Sequence, residues 1–223
     1  MFTEIIYRPI LNLTMYLYGT VAFADLGVAI VAMTILIRAA LSPLSLKTAR
    51  SQRGMAELAP EIEAIKEKHK GNTQAQSEAV MALYKEKGVN PLAGCLPLVL
   101  QLPVLFGVYR VFLNIFKPET LDLLYRFVPD PGTVNHIMLG VFDISKRSPV
   151  LAIVAGAMQF IQARVSMGGQ AASGQAAAMN QQMMYLLPII IVVVSWSLPA
   201  GLALYWVVTT AWSIGEQLYL KRR

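Results

Sequence analysis

The sequence predicts an all-α polytopic membrane protein, and its composition is the first observation that supports this fold class. The chain has 223 residues, of which 56% are hydrophobic and 14% are charged, whereas soluble domains carry about 25% charged residues. The mean hydropathy is +0.52. Charged residues also concentrate in residues 47–89, so the remaining sequence is more apolar than the average indicates. We expect five transmembrane helices, one charged cytosolic helical hairpin and an N-terminal interfacial helix.

Residues 1–24 are predicted to form an amphipathic helix that lies in the membrane interface. Glu4, Arg8 and Pro9 interrupt the segment too often for it to span a bilayer. Its apolar residues recur at the spacing of one helix face, namely Ile6, Ile10, Leu13 and Leu17. A secretory signal peptide would instead need a basic region, an uninterrupted apolar core and a small-x-small cleavage site.

Residues 25–46 are predicted to form the first transmembrane helix (TM1), although they include an arginine. Arg38 lies nine residues before Lys47, which places it roughly 13 Å deep at about 1.5 Å per helical residue. Thr34, Arg38 and Ser42 are four residues apart, and Ser45 follows, so these side chains share one face. TM1 therefore carries a polar stripe.

Residues 47–89 hold eight of the 19 basic residues and six of the 13 acidic residues. Apolar positions recur at helical spacing on either side of Gly71-Asn72. We predict two amphipathic helices, at about 57–70 and 74–87, that fold as an antiparallel hairpin. Oppositely charged neighbours on each helix favour this prediction over the alternative of a solvated charged linker.

The second transmembrane helix (TM2) is predicted at residues 90–113, despite three prolines and two glycines. Such breakers are tolerated in membrane helices whose neighbours satisfy the freed backbone groups. Gln101 is expected at mid-depth. Cys95 lies in an LAGC sequence that resembles a lipobox, but we interpret it as a small packing residue. Residues 114–148 are predicted to be an extracytoplasmic loop with a short apolar helix near residues 121–127.

The C-terminal part is predicted to contain three further transmembrane helices. An apolar run over about residues 183–214 would be near 48 Å long as one helix, too long for a hydrocarbon core of about 30 Å. The break at Leu198-Pro199-Ala200-Gly201 indicates two helices joined by a tight turn. The predicted segments are TM3 (149–166), a Gly/Ala/Gln-rich cytoplasmic connector (167–182), TM4 (183–198), TM5 (199–219) and a basic cytoplasmic tail (220–223).

The charge distribution predicts the orientation of these helices. The net charge is +6, and basic residues on short loops mark the cytoplasmic side. Five spans place the charged hairpin and the basic tail on one side and the loop 114–148 on the other. The loop carries as many acidic as basic residues, so we expect the N-terminus outside and the C-terminus in the cytoplasm.

Polar side chains on four of the predicted spans are expected to line the interior, with Arg38 as the only charged member. No acidic residue is predicted deep in a span, since Asp25 and Glu216 sit at span ends. Snorkelling to the headgroups would need more than the about 6–7 Å reach of an arginine side chain, so water in a cavity is expected to solvate Arg38. The candidate residues of the interior are Thr34, Arg38, Ser42, Gln101, Gln159, Gln162, Trp206 and Ser213.

Some of these residues have simpler explanations. Gln159 and Gln162 are more readily explained as interhelical hydrogen-bonding residues than as cavity lining, and Trp206 as a packing aromatic. Coupled transporters usually carry carboxylates deep in the membrane, and the predicted spans carry acidic residues only at their ends. The sequence also shows no nucleophile–base pair, phosphate loop or metal-ligand spacing, so neither an enzyme nor a metal or cofactor site is predicted.

Long motifs of the sequence resemble the YidC/Oxa1/Alb3 family of membrane protein insertases. They are the arginine-bearing first span followed by SPL, the charged hairpin, KEKGVNPLAGCLPLVLQLPVLFGVYR, and MMYLLPIIIVVVSWSLPAGLALYWVV. They occur in the family's order over nearly the whole chain. The resemblance implies five core spans around a hydrophilic groove that is open to the cytoplasm and lipid and closed outside. It also implies that no cofactor or ATP is used.

The resemblance further implies roles for single residues. Arg38 matches the family's groove arginine, Thr34 a substrate-contacting position one turn before it, Gln101 the groove glutamine, and Trp206 an aromatic substrate-contacting position. A nascent chain's hydrophilic segment would enter the groove transiently and leave outward as its apolar segment moves into lipid. Ribosome or partner contact would fall to basic residues of the hairpin and the tail, which are Lys66, Lys68, Lys70, Lys85, Lys87, Lys221, Arg222 and Arg223.

The expected partners are nascent membrane proteins, the ribosome, the Sec translocon, the signal recognition particle with its receptor, and the lipid bilayer. Sequence-specific nucleic-acid binding is not expected. The sequence shows no large periplasmic domain, lipoprotein signal, long basic tail or transit peptide, so we expect a bacterial plasma membrane. Two alternatives remain, a small channel or transporter with a polar cavity, and a non-catalytic assembly factor. Ion flux without an effect on insertion would favour the first, and unchanged function without Arg38 would favour the second.

Overall fold

A computed structural model describes residues 1–90, 96–167 and 174–221, which are mostly helical. A π-helical turn at Thr3–Tyr7 leads into α1, and a two-stranded antiparallel sheet follows α6. The helices are α1 (Arg8–Thr20), α2 (Leu26–Glu57), α3 (Ala59–Lys68), α4 (Thr73–Glu86), α5 (Leu96–Asn114), α6 (Pro118–Leu121), α7 (Pro149–Met167), α8 (Gly174–Ser197) and α9 (Ala200–Lys221). The strands are β1 (Ile137–Met138) and β2 (Phe142–Asp143).

Helix α9 is the centre of the helical arrangement, since it packs against α2, α5, α7 and α8. Glycines allow close approach in two helix pairs, α9 with α5 and α7 with α8. A Cβ atom on Gly201 of α9 would lie 2.1 Å from the Phe112 ring of α5. A Cβ atom on Gly156 of α7 would lie 2.2 Å from a methyl group of Val192 on α8. Small residues at such crossings are typical of helix packing in membranes.

Helix α1 packs into the core between α2 and α5. Leu11 and Met15 are fully buried with Ile30 of α2 and Val108 of α5. The sequence predicted a helix here, with one apolar face. The structure buries a wider face than that stripe, because α1 contacts two helices.

Helix α2 extends through the first predicted span and continues to Glu57. Asp25 Oδ1 accepts a hydrogen bond from the Val28 backbone N–H (2.9 Å) near the start of the helix. The predicted TM1 ended at residue 46, eleven residues earlier. Arg53, in the added part, donates to the Leu220 carbonyl (2.6 Å) and so connects α2 to the end of α9.

Helices α3 and α4 form a pair at the position of the predicted hairpin. Gly71 adopts a φ of +90° between them, and Asn72 caps α4 by accepting from the Ala75 N–H (3.0 Å). Lys87 pairs with Glu61 across the two helices at 3.2 Å. The prediction of two helices here is confirmed, with bounds one or two residues inside those expected at most ends.

The segment between α5 and α7 differs from its prediction. The short apolar helix expected near residues 121–127 is wrong, because the helix is Pro118–Leu121 and turns follow it. Asn12 of α1 makes the turns possible, since its amide donates to the Leu123 carbonyl (3.1 Å) and accepts from the Tyr125 N–H (2.5 Å). The strand pair β1–β2, which the sequence did not indicate, lies against the start of α2, where Asp25 accepts from the Leu139 N–H (2.5 Å).

The predicted break in the C-terminal apolar run is confirmed, since α8 ends at Ser197 and α9 begins at Ala200. Helix α8 begins at Gly174, inside the segment expected to be a connector, while residues 168–173 lie outside the described part of the chain. The segment 174–180 includes three consecutive alanines, the residue with the highest helix propensity.

Two of the described helical segments are long and apolar enough to span a membrane by length and composition. They are Leu26–Met55 and Pro149–Ser166, and a shorter apolar segment covers Met184–Ser197. Helices α7 and α8 also expose large apolar side chains, including Ile153, Ile189 and Val193. Contiguous exposed apolar surface is unusual for soluble monomers and suits contact with lipid.

Candidate functional site

Arg38 lies half-buried on α2, on the side of the helix bundle where α2 packs against α9. It interacts electrostatically with Tyr205 and Glu216, both on α9. Among the ion pairs of residues 1–90, 96–167 and 174–221, none includes Arg38. The guanidinium therefore carries its charge inside the helical part of the protein without a directly bonded carboxylate.

Gln101 and Tyr205 form one polar contact of this region. The Gln101 side-chain amide of α5 donates to the Tyr205 hydroxyl of α9. Tyr205 is 2% exposed, and a buried hydroxyl needs hydrogen-bond partners, of which Gln101 supplies one. Because Tyr205 also interacts with Arg38, the structure connects two sequence-predicted residues, Arg38 and Gln101, through a tyrosine between them.

Gln159 and Trp206 form a second polar contact. The Trp206 indole N–H of α9 donates to Gln159 Oε1 of α7 at 3.5 Å. Both side chains are half-buried. The long distance indicates a weak hydrogen bond. This contact agrees with the interpretation of Gln159 as an interhelical hydrogen-bonding residue, and it brings two predicted site residues together.

Glu216 forms a polar cluster between α2 and α9. One carboxylate oxygen accepts hydrogen bonds from the Ser42 hydroxyl, the Ser45 hydroxyl (2.6 Å) and the Trp212 indole N–H (3.0 Å). Ser42 and Ser45 are one and two helical turns after Arg38. The sequence offered no obvious buried ion-pair partner for Arg38, and none of the ion pairs among the described residues includes it. Helix packing places Glu216 on the polar stripe of α2, next to the arginine but not in direct contact with it.

Two other predicted residues, Thr34 and Ser213, use their hydroxyls within their own helix, and a third, Gln162, lies half-buried on α7. The Thr34 hydroxyl donates to the Ile30 carbonyl (2.6 Å), and the side chain is 1% exposed. The Ser213 hydroxyl donates to the Thr209 carbonyl (3.1 Å). Gln162 is half-buried on α7, one turn after Gln159. Thr34 is thus enclosed in the core beside Arg38, instead of lying open on a surface.

The predicted partner-contact residues are exposed wherever the structure describes them. Lys66, Lys68, Lys70, Lys85, Lys87 and Lys221 all have exposed side chains. Lys70 pairs with Glu67 at 3.5 Å. The other two predicted contact residues, Arg222 and Arg223, lie outside the described residues. Cys95, interpreted above as a packing residue, also lies outside them. Within residues 1–90, 96–167 and 174–221, no group of three or more His, Cys, Asp or Glu side chains is placed to hold a metal ion.

Comparison with known proteins decides the family. The family described as "60Kd inner membrane protein" matches residues 16–223. The chain belongs to this family. The resemblance to the YidC/Oxa1/Alb3 insertases that the sequence motifs indicated is thereby confirmed.

Curated relatives of this family member carry the name membrane protein insertase. A protein of Fusobacterium nucleatum named "Membrane protein insertase YidC" is 34% identical over 89% of this chain and 87% of its own length. "Membrane protein insertase YidC 2" of Bacillus anthracis is 33% identical over 98% of this chain and 80% of its own length. The Streptomyces avermitilis protein named "Membrane protein insertase YidC" is 30% identical, and the chain spans 54% of its length.

Sequence reasoning missed three residues of the site in this family member, namely Tyr205, Trp212 and Glu216. Tyr205 directly precedes Trp206 in the PAGLALYW motif, but its orientation toward Gln101 depends on how α5 and α9 pack. Trp212 and Glu216 are four residues apart, a spacing that places both on one helix face. That spacing was visible in the sequence, but the facing serines of α2 were not.

Proposed function

We propose that this chain is a membrane protein insertase that helps nascent membrane proteins to enter and fold in the bilayer. Membership of the 60Kd inner membrane protein family and the names of the relatives support this function. The structural observation that carries it is Arg38, a half-buried charge on an apolar helix with no ion pair among the described residues. A charge in such a place is costly and is usually retained for function.

The proposed site is a polar groove bounded by α2, α5, α7 and α9. Arg38, Gln101 and Trp206 would be its principal client-contacting residues, with Ser42, Gln159, Gln162 and Ser213 as further lining and Thr34 supporting Arg38 from the core. A hydrophilic client segment would exchange some of its water for these polar groups, which lowers the cost of bringing it into the membrane. The client's apolar segment would then pass into lipid along the exposed apolar surface of the bundle.

We propose five membrane crossings, formed by α2, α5, α7, α8 and α9, with α1 as an interfacial helix. The N-terminus would lie outside, and the α3–α4 hairpin and the C-terminus in the cytoplasm of a bacterial cell. The apolar length of Leu26–Met55 and Pro149–Ser166 supports two of the crossings. The exposed apolar side chains of α8, including Ile189 and Val193, support a third.

The hairpin is the proposed contact site for cytoplasmic partners. Its exposed lysines would meet the negatively charged ribosome or the signal recognition machinery by charge attraction. The basic tail would add to this surface, and the Sec translocon is a further proposed partner. The hairpin would recruit clients while the helical bundle supplies the groove.

Reconstitution of the purified chain in liposomes tests the function. A single-span client is synthesised in the presence of these vesicles, and the protease-protected fragment measures insertion. We expect protection with the wild-type chain, and less with Arg38→Ala or with empty liposomes. Full insertion by Arg38→Ala would favour an assembly factor. Ion flux through the vesicles together with no insertion would favour a channel.

Crosslinking tests the groove residues directly. Photoreactive groups at Thr34, Gln101 and Trp206 are combined with a ribosome-stalled client. We expect adducts from Gln101 and Trp206 and fewer from Thr34, because Thr34 is 1% exposed. Matched probes at Ile153 and Val193, which are exposed on the apolar surface, distinguish a polar client segment in the groove from an apolar segment in lipid.

A further inference from the structure

The Glu216 cluster lies between Arg38 and the part of α2 that leads to the hairpin. Its carboxylate is held on α2 by the hydroxyls of Ser42 and Ser45, which follow Arg38 by one and two turns. The Trp212 indole holds the same oxygen from α9. A client segment that approached Arg38 from the hairpin side would therefore pass a fixed negative charge.

The arrangement is not a direct ion pair. Arg38 has no carboxylate within ion-pair distance among the described residues, yet Glu216 acts on it electrostatically. Two opposite charges that lie farther apart than an ion pair reduce each other's field without cancelling it. The serine and tryptophan donors all bond to one carboxylate oxygen, and movement of that oxygen toward the guanidinium would break these three hydrogen bonds.

We propose that Glu216 sets the client-charge preference of the site by weakening the attraction of Arg38 for acidic client segments, so that these segments are released. The inference rests on the proposed insertase function and goes beyond it by assigning a role to Glu216. Glu216 is a positioning residue that acts through Arg38. Acidic client residues are attracted by Arg38 and repelled by Glu216, whereas neutral segments experience neither force.

The cluster also explains why the carboxylate is supplied by α9 and not by the client-facing side of α2. A carboxylate beside Arg38 on α2 itself would form an ion pair, and a close ion pair would remove most of the positive potential. Held by Ser42 and Ser45, the negative charge stays at a distance fixed by the packing of α2 on α9. The strength of the groove charge is thereby set by helix packing.

The test uses the full chain in liposomes and three single-span clients that differ only in an acidic, neutral or basic translocated tail. A photoreactive residue in each client tail leaves the insertase unmodified, and the lifetime of the crosslinkable complex is measured along with protease-protected insertion. The variants are Glu216→Gln, Glu216→Ala, Glu216→Asp and Arg38→Gln with and without Glu216→Gln. Asp122→Asn is the matched control, because it removes one negative charge at an exposed position in the loop after α6.

We expect Glu216→Gln to lengthen the lifetime of the complex with the acidic-tailed client about three- to tenfold relative to the neutral client. The factor is estimated from the Coulomb energy between the Glu216 carboxylate and a client carboxylate roughly 10 Å away. Glu216→Asp and Asp122→Asn should keep the wild-type ratio. In the Arg38→Gln background the effect of Glu216→Gln should disappear, since the two residues act as a coupled pair.

Three outcomes would overturn the inference. One is an equal loss of insertion of all three clients by Glu216→Gln, which indicates a purely structural role. Another is an unchanged effect in the Arg38→Gln background. The third is failure of both uncharged variants, Glu216→Gln and Glu216→Ala, to fold while Glu216→Asp folds. Absence of insertion by the wild-type chain would instead refute the proposed function, so the two failures are distinguishable.

Discussion

Replacement of Gly201 by alanine tests the packing of the central helix on α5. A Cβ atom at this position would lie 2.1 Å, 2.3 Å and 3.1 Å from three carbons of the Phe112 ring. Phe112 is 4% exposed and belongs to the main core cluster, so the ring can shift only by displacing other core side chains. The Gly201 N–H also donates to the Ile144 carbonyl (3.0 Å), which limits movement of the backbone away from the ring.

The expected cost follows from two opposing effects. Overpacking a well-packed core costs about 1–3 kcal/mol, whereas replacing glycine by alanine in a helix gains up to about 1 kcal/mol. Gly201→Ala should therefore lower the free energy of unfolding by roughly 1–2 kcal/mol. Gly215→Ala is the matched control on the same helix, because nothing lies within 4 Å of its Cβ position. It should be neutral or slightly stabilising.

Thermal unfolding followed by circular dichroism measures both variants under identical lipid or detergent conditions. A loss of about 1–2 kcal/mol corresponds to a midpoint roughly 2–8 °C lower for a chain of this size. Gly201→Ala should melt below the wild-type chain, and Gly215→Ala at or above it. A Gly201→Ala variant as stable as Gly215→Ala would refute the close approach of α9 to α5.

Four further predictions concern the groove charge, the topology, the hairpin and acid stability. Arg38→Ala should reduce insertion most for acidic-tailed clients, and Arg38→Glu should reduce it further. Arg38→Lys should keep much of the activity because a point charge suffices. Equal insertion by all three variants, measured by protease protection, would exclude an electrostatic role. Cysteines at Ser77 and Thr133 should react from opposite sides of the membrane, and labelling from one side would contradict the topology. Deletion of residues 57–87 should impair insertion and leave a folded helical core, so full activity of the deletion variant would remove the recruiting role. Hydrogen bonds from Ser145, together with Lys146, lower the pKa of Asp143 from 3.8 to about 2. The stabilising contribution of the Asp143 carboxylate is thus present above about pH 4 and is lost as the pH falls toward 2. Unfolding measured from pH 5 to 2 should therefore show less acid sensitivity in Asp143→Asn than in the wild-type chain.

Much of the helical organisation could be predicted because helix formation and helix breaks leave local signals. The two hairpin helices follow from charge and apolar periodicity around Gly71-Asn72, and the division of α8 from α9 follows from Leu198-Pro199. Helix ends were less predictable. Helix α2 continues to Glu57, and Arg53 in its last part bonds to the end of α9. No local signal in residues 47–57 marks that contact.

The segment after α5 shows why a local apolar pattern is not sufficient. Residues 121–127 look helical, but Asn12, more than one hundred residues earlier, satisfies the backbone groups of Leu123 and Tyr125 in turns. A backbone group that finds a side-chain partner elsewhere no longer requires a helix. Such partners are set by the packing of α1 and are invisible to a reading of neighbouring residues.

The sequence by itself determined that the chain is helical and apolar, that Arg38 lies on a polar stripe, and which family the chain resembles. These features depend on composition, on the 3.6-residue period and on contiguous motifs. Only the tertiary structure decided which polar groups meet: Gln101 with Tyr205, Gln159 with Trp206, and Glu216 with the serines of α2. The physical reason is that the rotation and depth of each helix are fixed by interhelical packing, as at Gly201 against Phe112, and a polar residue's partner follows from that packing.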